Sequence, residues 1–435
     1  MKKKLTFLGL LTLLFSCKEN KPVLEIATPV KTGYGLPENN LADAVRYDKI
    51  LGALVGSAIG DAMGASTEMW HRKDIQRKYG YITGLTPAVR YQSPEGTWGH
   101  NLDSGSTTDD TRWKMLLITY LGKYGVSANA DHFTTFITDY YSSLIPDKRS
   151  APELMHPDVL DTQIEKLDWI KEWARVAFAY KQDAKEYQKA LNRFYGGEMA
   201  CAGMLYAPVF GLCAANAETA YAIAYDHAIF DIGYAKDISG MTAAITQMAL
   251  QSADMDSILN ASVFVDPYGY QDSRLVGRIA YSIADNAEKN VKAALEILDT
   301  QHLFNSDPVG WKMPKGYPGS LDEWVRQESI YRALEKNKKA IPFHAGEIWE
   351  IAYTALVFGE GDFEKTLQFI VNYGRDNDTV AAVAGMILGA KVGYANLPKE
   401  LKEATLQVNR ENLGIDLEVL TNTILNLSGS TYTSP

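Results

Sequence analysis

Hydrophobic residues recur at three- and four-residue spacing along most of the chain from about residue 42 onward. This spacing places apolar side chains on one face of an α-helix, whereas a strand needs strict alternation, and no convincing alternation is present. The pattern therefore predicts an all-α protein with a single domain over residues 42–428. The helical stretches that it indicates are 41–66, 111–125, 128–144, 160–182, 217–230, 240–259, 273–298, 346–360, 362–374 and 397–412.

Two helical stretches carry a residue without a side chain at every fourth position. These residues are Gly52, Gly56, Gly60 and Gly64 in the first stretch, and Gly385, Gly389 and Gly393 in the second. Glycines at this spacing form one smooth stripe, which lets another backbone approach closely. Glycine inside a helix costs roughly 1 kcal/mol relative to alanine, so the stripes predict a tight helix crossing that offsets the loss. Flanking Asp, Glu and Lys residues favour buried central helices over membrane spans.

Three long loops separate the predicted helices, at residues 84–106, 145–159 and 302–320. Loops of this length in a compact domain are usually either functional or disordered. Aromatic residues such as Trp98 and Trp311 could cover a sugar or a base, or they could pack the loops onto the body of the protein. We take Trp98 and His100 as candidate substrate contacts.

The first seventeen residues, MKKKLTFLGLLTLLFSC, have a lysine-rich start, a short apolar stretch and a small residue before Cys17. This is the layout of a secretory signal, too short to span a bilayer as a mature helix. The ending LFSC also resembles a bacterial lipoprotein box, although an ordinary signal with a coincidental cysteine is the alternative. We expect a signal peptide at 1–16, a lipidated N-terminus and flexible tether at 17–41, and a disordered tail at 429–435. The protein would then be exported and held by its lipid at a bacterial membrane, the outer membrane, on the periplasmic or surface side.

Composition narrows the partners and the possible metal chemistry. A net charge of −10, from 53 acidic and 43 basic residues, argues against a nucleic-acid partner, which needs a basic face. An exported compartment permits a disulfide between Cys201 and Cys213, but both lie in an alanine-rich apolar stretch, and we favour two buried thiols. The seven histidines are scattered singly, and none is spaced from a cysteine as a zinc site requires.

Oxygen ligands are concentrated in two short segments that open helices. The segments contain Thr108, Asp109 and Asp110, and Asp376, Asp378 and Thr379. Asp and Thr are favoured N-cap residues, so capping explains either segment taken alone. Capping needs only one oxygen, however, and two carboxylates beside a hydroxyl would repel each other unless a cation relieved the repulsion. Mg²⁺ favours such hard oxygen ligands, so a metal site is the second interpretation.

Three segments of the chain resemble, in order and spacing, the signature segments of the ADP-ribosylglycohydrolase family, which includes the dinitrogenase-reductase-activating glycohydrolases. They are GALVGSAIGDAMGASTE (52–68), STTDDT (106–111) and GRDNDTVAAVAGMILGAKVG (374–393). The resemblance extends over residues 47–394. It implies a single-domain orthogonal helical bundle with a binuclear magnesium or manganese centre at the floor of a cleft.

The resemblance also implies roles for individual residues. The metal ligands would be Thr108, Asp109, Asp110, Asp376, Asp378 and Thr379. Glu68 would lie beside the scissile bond, and with Asp109 and Asp378 it completes the candidate catalytic carboxylates. Two Mg²⁺ or Mn²⁺ ions would bind ribose hydroxyls and polarise a water, while a nearby carboxylate takes part in proton transfer. Asp61 is expected to have a structural or supporting role.

The chain departs from the family where members often read Gly-Gly-Asp-Thr-Asp-Thr and this chain has Gly-Arg-Asp-Asn-Asp-Thr. Arg375 would contact a phosphate or carboxylate of the substrate, or else form a salt bridge with a nearby acid. The predicted function is metal-dependent cleavage of an ADP-ribosyl or related ribosyl N- or O-glycosidic bond by a monomer. The alternatives are hydrolysis of a nucleoside-like or environmental sugar glycoside, and glycan binding without turnover.

Overall fold

The computed structural model describes residues 40–89, 101–144 and 157–427. Within these ranges most residues are helical, which confirms the all-α class. The α-helices are α1 (Asp43–Gly64), α2 (Arg72–Tyr79), α3 (Asp109–Tyr124), α4 (Ala130–Leu144), α5 (Pro157–Tyr180), α6 (Ala184–Phe194), α7 (Phe210–Cys213), α8 (Ala217–His227), α9 (Ala235–Gln251), α10 (Met255–Phe264), α11 (Ile279–Leu295), α12 (Thr300–Ser306), α13 (Leu321–Asn337), α14 (Ala345–Gly359), α15 (Phe363–Tyr373), α16 (Asn377–Val392), α17 (Lys399–Val408) and α18 (Leu417–Leu427).

Short strands form two antiparallel pairs. They are β1 (Trp70–His71) with β4 (Gly374–Arg375), and β2 (Ala88–Val89) with β3 (Asn101–Leu102). The first pair links the segment that follows α1 to the segment that precedes α16. None of the described helices combines the length and the apolar character needed to cross a membrane.

Two predicted helices have different bounds in the structure. The stretch 240–259 is broken between α9 and α10, because the side chain of Asp254 accepts a hydrogen bond from the backbone N–H of Ser257 and starts a new helix. The stretch 273–298 becomes helical only at Ile279, since Gly277 before it has a left-handed φ of +64°.

The predicted loop 302–320 is partly helical, because α12 extends to Ser306. Trp311 in this loop is buried, and its carbonyl oxygen accepts a hydrogen bond from the indole nitrogen of Trp324 at 2.9 Å. The guanidinium of Arg332 lies 3.7 Å from the centre of the Trp311 ring. Trp311 therefore packs its loop onto the body of the protein, which was one of the two interpretations.

The two glycine-striped helices, α1 and α16, cross at the centre of the molecule in antiparallel directions. A β-carbon added to any glycine of the α1 stripe would lie closer than 3.0 Å to a backbone atom of the 374–393 segment, a distance that real β-carbons do not adopt. The opposed pairs are Gly52 with Gly389, Gly56 with Gly385, Gly60 with Ala381, and Gly64 with Asp378. The predicted close crossing is thus confirmed. It places the C-terminal end of α1 against the N-terminal end of α16.

Substitution of Gly60 tests this crossing. Alanine normally stabilises a helix interior by about 1 kcal/mol relative to glycine, but here its methyl group would collide with the carbonyl oxygen of Ala381. We expect Gly60→Ala to lower the free energy of unfolding by about 1–3 kcal/mol, the usual cost of overpacking. Denaturant unfolding followed by circular dichroism measures this change.

Gly84→Ala is the matched control, because the nearest atom to its added β-carbon is Leu401 Cδ2 at an ordinary 3.8 Å. We expect this control to unfold like the wild type. A Gly60→Ala protein that is as stable as the wild type, or more stable, would contradict the close crossing.

Candidate metal and substrate site

The acidic segments predicted from the sequence meet at one cavity. Thr379 Oγ1 at the start of α16 donates a hydrogen bond of 2.9 Å to Asp110 Oδ2 at the start of α3, across 269 positions of the chain. The residues that line the cavity are Glu68, Met69, Asp109, Asp110, Trp173, Tyr195, Cys201, Ala202, Leu205, Phe343, Asp376, Asp378 and Thr379. The segment after α1 and the starts of α3 and α16 therefore supply carboxylates to one surface of this cavity, which we call its floor.

Asp61 in α1 holds the start of α3 in place. Its carboxylate is fully buried and accepts hydrogen bonds from the backbone N–H groups of Thr108 (2.9 Å) and Thr111 (3.1 Å) and from the Thr111 hydroxyl (2.6 Å). Thr108 then caps α3, because its hydroxyl accepts a hydrogen bond from the N–H of Asp110 at 3.3 Å. Asp61 thus has the supporting position that the sequence indicated, and the side chain of Thr108 serves as a cap.

The crowding of acids at the floor has an electrostatic cost. Burial raises the pKa of Asp61, and the charge of Asp378 raises it further, while the hydrogen bond from Thr111 acts against both. Burial also raises the pKa of Asp110, and the neighbouring charge of Lys114 opposes this rise. Asp61 and Asp110 are therefore held where their charged forms are disfavoured, and a nearby positive charge relieves this cost.

One group of acids has the geometry of a cation site. Ligand oxygens of Glu68, Asp376 and Asp378 all lie within 4.8 Å of one another. Asp376 and Asp378 are 4 % and 2 % exposed, whereas Glu68 is partly exposed to the cavity. Three hard oxygen donors, two of them buried, fit Mg²⁺ or Mn²⁺. Glu68 therefore lies among the potential ligands, and its implied place beside the scissile bond stays a prediction.

The strained backbone beside the site fixes Glu68 relative to the start of α16. The N–H of Met69 donates a hydrogen bond of 2.6 Å to the carbonyl of Arg375. Both residues adopt left-handed φ angles, of 64° and 65°, which are unusual for residues other than glycine. Such strain is typical of functional segments that the surrounding fold holds in place.

The sequence did not predict the aromatic wall of the cavity, which consists of Trp173, Tyr195 and Phe343. Trp173 comes from α5, and the rings of Tyr195 and Phe343 lie 5.5 Å apart. The thiol of Cys201 lies 3.6 Å from Asp376 Oδ2. An antiparallel contact joins these segments, because the N–H of Cys201 donates to the carbonyl of Phe343 at 2.9 Å. The signal in the sequence was weak, since none of these residues belongs to an acidic motif.

Arg375 forms a salt bridge. Its Nε lies 2.5 Å from Glu347 Oε1, its Nη2 lies 3.0 Å from Glu347 Oε2, and Nη2 also donates to the carbonyl of Lys339 at 2.8 Å. The structure thus places Arg375 in the salt bridge that was one of its two interpretations. Contact with substrate stays a prediction.

Two sets of sequence predictions remain, the candidate residues near the N-terminus and in the first long loop, and the state of the two cysteines. Trp98, His100 and Cys17 lie outside the described residues, so their roles stay predictions. Cys201 and Cys213 are both buried thiols that are not joined in a disulfide, as we expected.

The fold and the site together define a class of protein: an all-α protein whose central helix ends deliver carboxylates to the floor of an aromatic-walled cavity. The family model of ADP-ribosylglycohydrolase matches residues 42–433. The chain therefore belongs to the ADP-ribosylglycohydrolase family, and this membership supports a glycosyl hydrolase.

Relatives are similar to the chain over shorter segments. The uncharacterized protein YegU of Escherichia coli K12 is 33 % identical over 73 residues, which is 17 % of this chain and 21 % of YegU. The ADP-ribosyl-[dinitrogen reductase] glycohydrolase of Rhodospirillum rubrum is 34 % identical over 85 residues, which is 20 % of this chain and 26 % of that enzyme. The chain thus matches only about a quarter of these relatives' length or less.

The solved structure of an ADP-ribosylglycohydrolase-related protein complex supports the fold. It covers 88 % of this chain and 99 % of its own chain with a TM-score of 0.51, and the sequences are 19 % identical. At this identity the similarity concerns the fold alone.

Substitution of Asp378 tests the cation site through stability. In metal-free protein we expect Asp378→Asn to raise the melting temperature, because it removes a buried charge that repels its neighbours. Saturating Mg²⁺ should stabilise the wild type, by about 2.7 kcal/mol at a hundred times its dissociation constant, and should leave the variant nearly unchanged. Differential scanning calorimetry with and without MgCl₂ measures both effects.

Asp285→Asn, a change at a partly exposed position of α11, is the control and should respond to Mg²⁺ like the wild type. An equal Mg²⁺ response in the wild type and in Asp378→Asn would place the ion elsewhere.

Proposed function

We propose that this protein is a metal-dependent glycohydrolase that cleaves the glycosidic bond of an ADP-ribosyl or related ribosyl group. The observation that carries the proposal is the convergence of Glu68, Asp376 and Asp378 beside Asp109 at the floor of one cavity. Family membership supports the reaction class. The name of the Rhodospirillum rubrum relative supports the ADP-ribosyl substrate class.

The three clustered acids fit a divalent ion of the Mg²⁺ or Mn²⁺ type. When bound by Glu68, Asp376 and Asp378, such an ion would supply positive charge that orients substrate hydroxyls and acidifies a water. The buried pair Asp376 and Asp378 suits a permanent ligand role, because solvent does not compete for their oxygens.

A partly exposed carboxylate outside the three clustered acids suits proton transfer. Asp109 lines the cavity, is less buried than Asp110, Asp376 and Asp378, and is not one of the acids that would bind the ion. A carboxylate in such a place can accept a proton from an attacking water. The net negative charge of the floor also favours the positive charge that develops at the anomeric carbon as the glycosidic bond breaks.

The aromatic wall would contact a different part of the substrate from the acidic floor. Trp173, Tyr195 and Phe343 present aromatic surface to the same cavity as the acids. Aromatic rings exclude water and pack against a planar or apolar part of a ligand. The wall would therefore position the group attached to the ribose, while the floor engages the ribose itself.

A screen of glycosides tests the proposal. The purified protein is incubated with ADP-ribosylated peptides, nucleosides and aryl glycosides, first with EDTA and then with excess Mg²⁺. We expect hydrolysis of at least one ribosyl substrate that stops in EDTA and returns with Mg²⁺. Asp109→Asn and Asp378→Asn should lower kcat by about a hundredfold or more, as expected for loss of a group in acid–base or metal catalysis.

The control is again Asp285→Asn, which should retain wild-type turnover. Hydrolysis that continues in EDTA and in Asp378→Asn would contradict a metal-dependent reaction at this site. Tight binding of a glycan without turnover, with an affinity that both variants retain, would favour the binding alternative.

A further inference from the structure

One arginine connects the floor of the cavity to a segment that carries part of its wall. Arg375 lies immediately before Asp376, one of the clustered acids, and its backbone carbonyl accepts the 2.6 Å hydrogen bond from Met69. Its side chain extends to Glu347 and Lys339, which belong to another part of the fold. The backbone of Arg375 is therefore part of the floor, whereas its guanidinium holds a different segment.

The segment that this guanidinium holds is the connection between α13 and α14, residues 338–344, which is not helical. Arg375 Nη2 donates a hydrogen bond of 2.8 Å to the carbonyl of Lys339. The N–H of Lys339 donates one of 2.5 Å to Glu347 Oε2. Arg375 also donates to both oxygens of the Glu347 carboxylate, at 2.5 and 3.0 Å. The Arg375–Glu347 ion pair therefore binds both backbone polar groups of Lys339.

The same connection carries Phe343, whose ring lines the cavity. The carbonyl of Phe343 accepts a hydrogen bond of 2.9 Å from the N–H of Cys201. The connection is thus held near its start by the Arg375–Glu347 pair and near its end by Cys201. Because Arg375 is also the residue that precedes Asp376, the first of these contacts ties the position of Phe343 to the position of the clustered acids.

The backbone conformation of Arg375 supports a role for its side chain. Its φ of 65° is left-handed, which is costly for residues with a β-carbon but not for glycine. The Glu347 side chain is 3 % exposed, so the pair is largely shielded from water. A guanidinium that donates two hydrogen bonds to one carboxylate is both strong and specific in geometry. These bonds offset the strain that an arginine brings to this position.

We propose that Arg375 is a positioning residue that sets the distance between the ion site and the aromatic wall, by holding the 338–344 connection and with it Phe343. The inference rests on the proposed function and deepens it, since the wall is where we place the group attached to the ribose. Loss of the side chain should loosen Phe343 but leave Asp376 in place, because the pairing of Arg375 with Trp70 is made by the backbone.

Two substitutions separate the bonds of Arg375 from its strain. Arg375→Gly and Arg375→Met both remove the bonds to Glu347 and Lys339, but glycine also removes the strain, so its variant should melt at the higher temperature. Hydrogen–deuterium exchange followed by mass spectrometry should be at least about tenfold faster over residues 338–344 in both variants, as for the loss of a hydrogen bond to a charged group. Exchange in α16 should be unchanged. Arg77→Met, which removes an exposed salt bridge on α2, is the control and should exchange like the wild type.

Two ribosides test the effect on the wall. 4-Nitrophenyl riboside carries a planar ring on the anomeric carbon, whereas methyl riboside does not. In Arg375→Gly with excess Mg²⁺, we expect KM for 4-nitrophenyl riboside to rise about tenfold and kcat to stay within about twofold, because binding by the wall is weakened and the floor is intact. The inhibition constant of methyl riboside should match the wild type. Mn²⁺ should bind at least as tightly, since a cation near Asp376 is removed.

Glu347→Gln weakens the same ion pair from the other side and decides the question if the Arg375 variants do not fold. Unchanged exchange over residues 338–344, or an unchanged KM for 4-nitrophenyl riboside, would overturn the inference. A Mn²⁺ affinity that falls as much as KM rises would also overturn it, since Arg375 would then act on the ion site. If the wild type hydrolyses no riboside, the proposed function fails, and the exchange measurement alone decides whether Arg375 holds the connection.

Discussion

The direct contact between the backbones of α1 and α16 is the constraint on which the rest of the structure depends. Helices that carry ordinary side chains pack with their axes about 8–10 Å apart, and here glycines remove the side chains that enforce this separation. Each glycine lowers helix propensity, yet the crossing is buried along its whole length. In return, the crossing fixes where the acidic residues lie. It brings Gly64, at the C-terminal end of α1, against Asp378 at the start of α16, so Glu68, which follows α1, is held close to the acids of α16.

A second constraint is the need to stabilise the buried carboxylates around the cavity. The protein stabilises Asp61, Asp110 and Glu347 in three different ways. Backbone N–H groups at the start of α3 donate hydrogen bonds to the Asp61 carboxylate, and the ammonium of Lys114 faces Asp110. Glu347 is paired with Arg375, whose charge also acts on Asp376. Beside these paired acids, the ligand oxygens of Glu68, Asp376 and Asp378 converge within 4.8 Å of one another.

The sequence predicted the parts of this arrangement that have a period or a motif. Glycines at every fourth position predicted the crossing, and the resemblance to the ADP-ribosylglycohydrolase family implied that the acidic segments at the starts of α3 and α16 share one site. The aromatic wall could not be predicted in this way, because the packing that brings Tyr195 near Phe343 leaves no local pattern. The burial of Lys114 could not be predicted for another reason: a lysine within the apolar run of α3 is ordinarily expected to be exposed to solvent. The partner of Arg375 was hidden as well, since a salt bridge across 28 positions has no sequence signature.

The charges around the cavity also limit which part of a substrate it can hold. The residues that line the described cavity include no lysine, arginine or histidine, and Arg375 is engaged by Glu347 with its side chain only 20 % exposed. A phosphate placed directly on this acidic floor would be repelled, unless a bound cation lay between them. Hydroxyl groups are suited to the floor, and a planar ring is suited to the wall of Trp173, Tyr195 and Phe343. For the ribosyl substrate that we propose, these charges favour placing the ribose and the group on its anomeric carbon in the described cavity, with any phosphates directed away from the carboxylates.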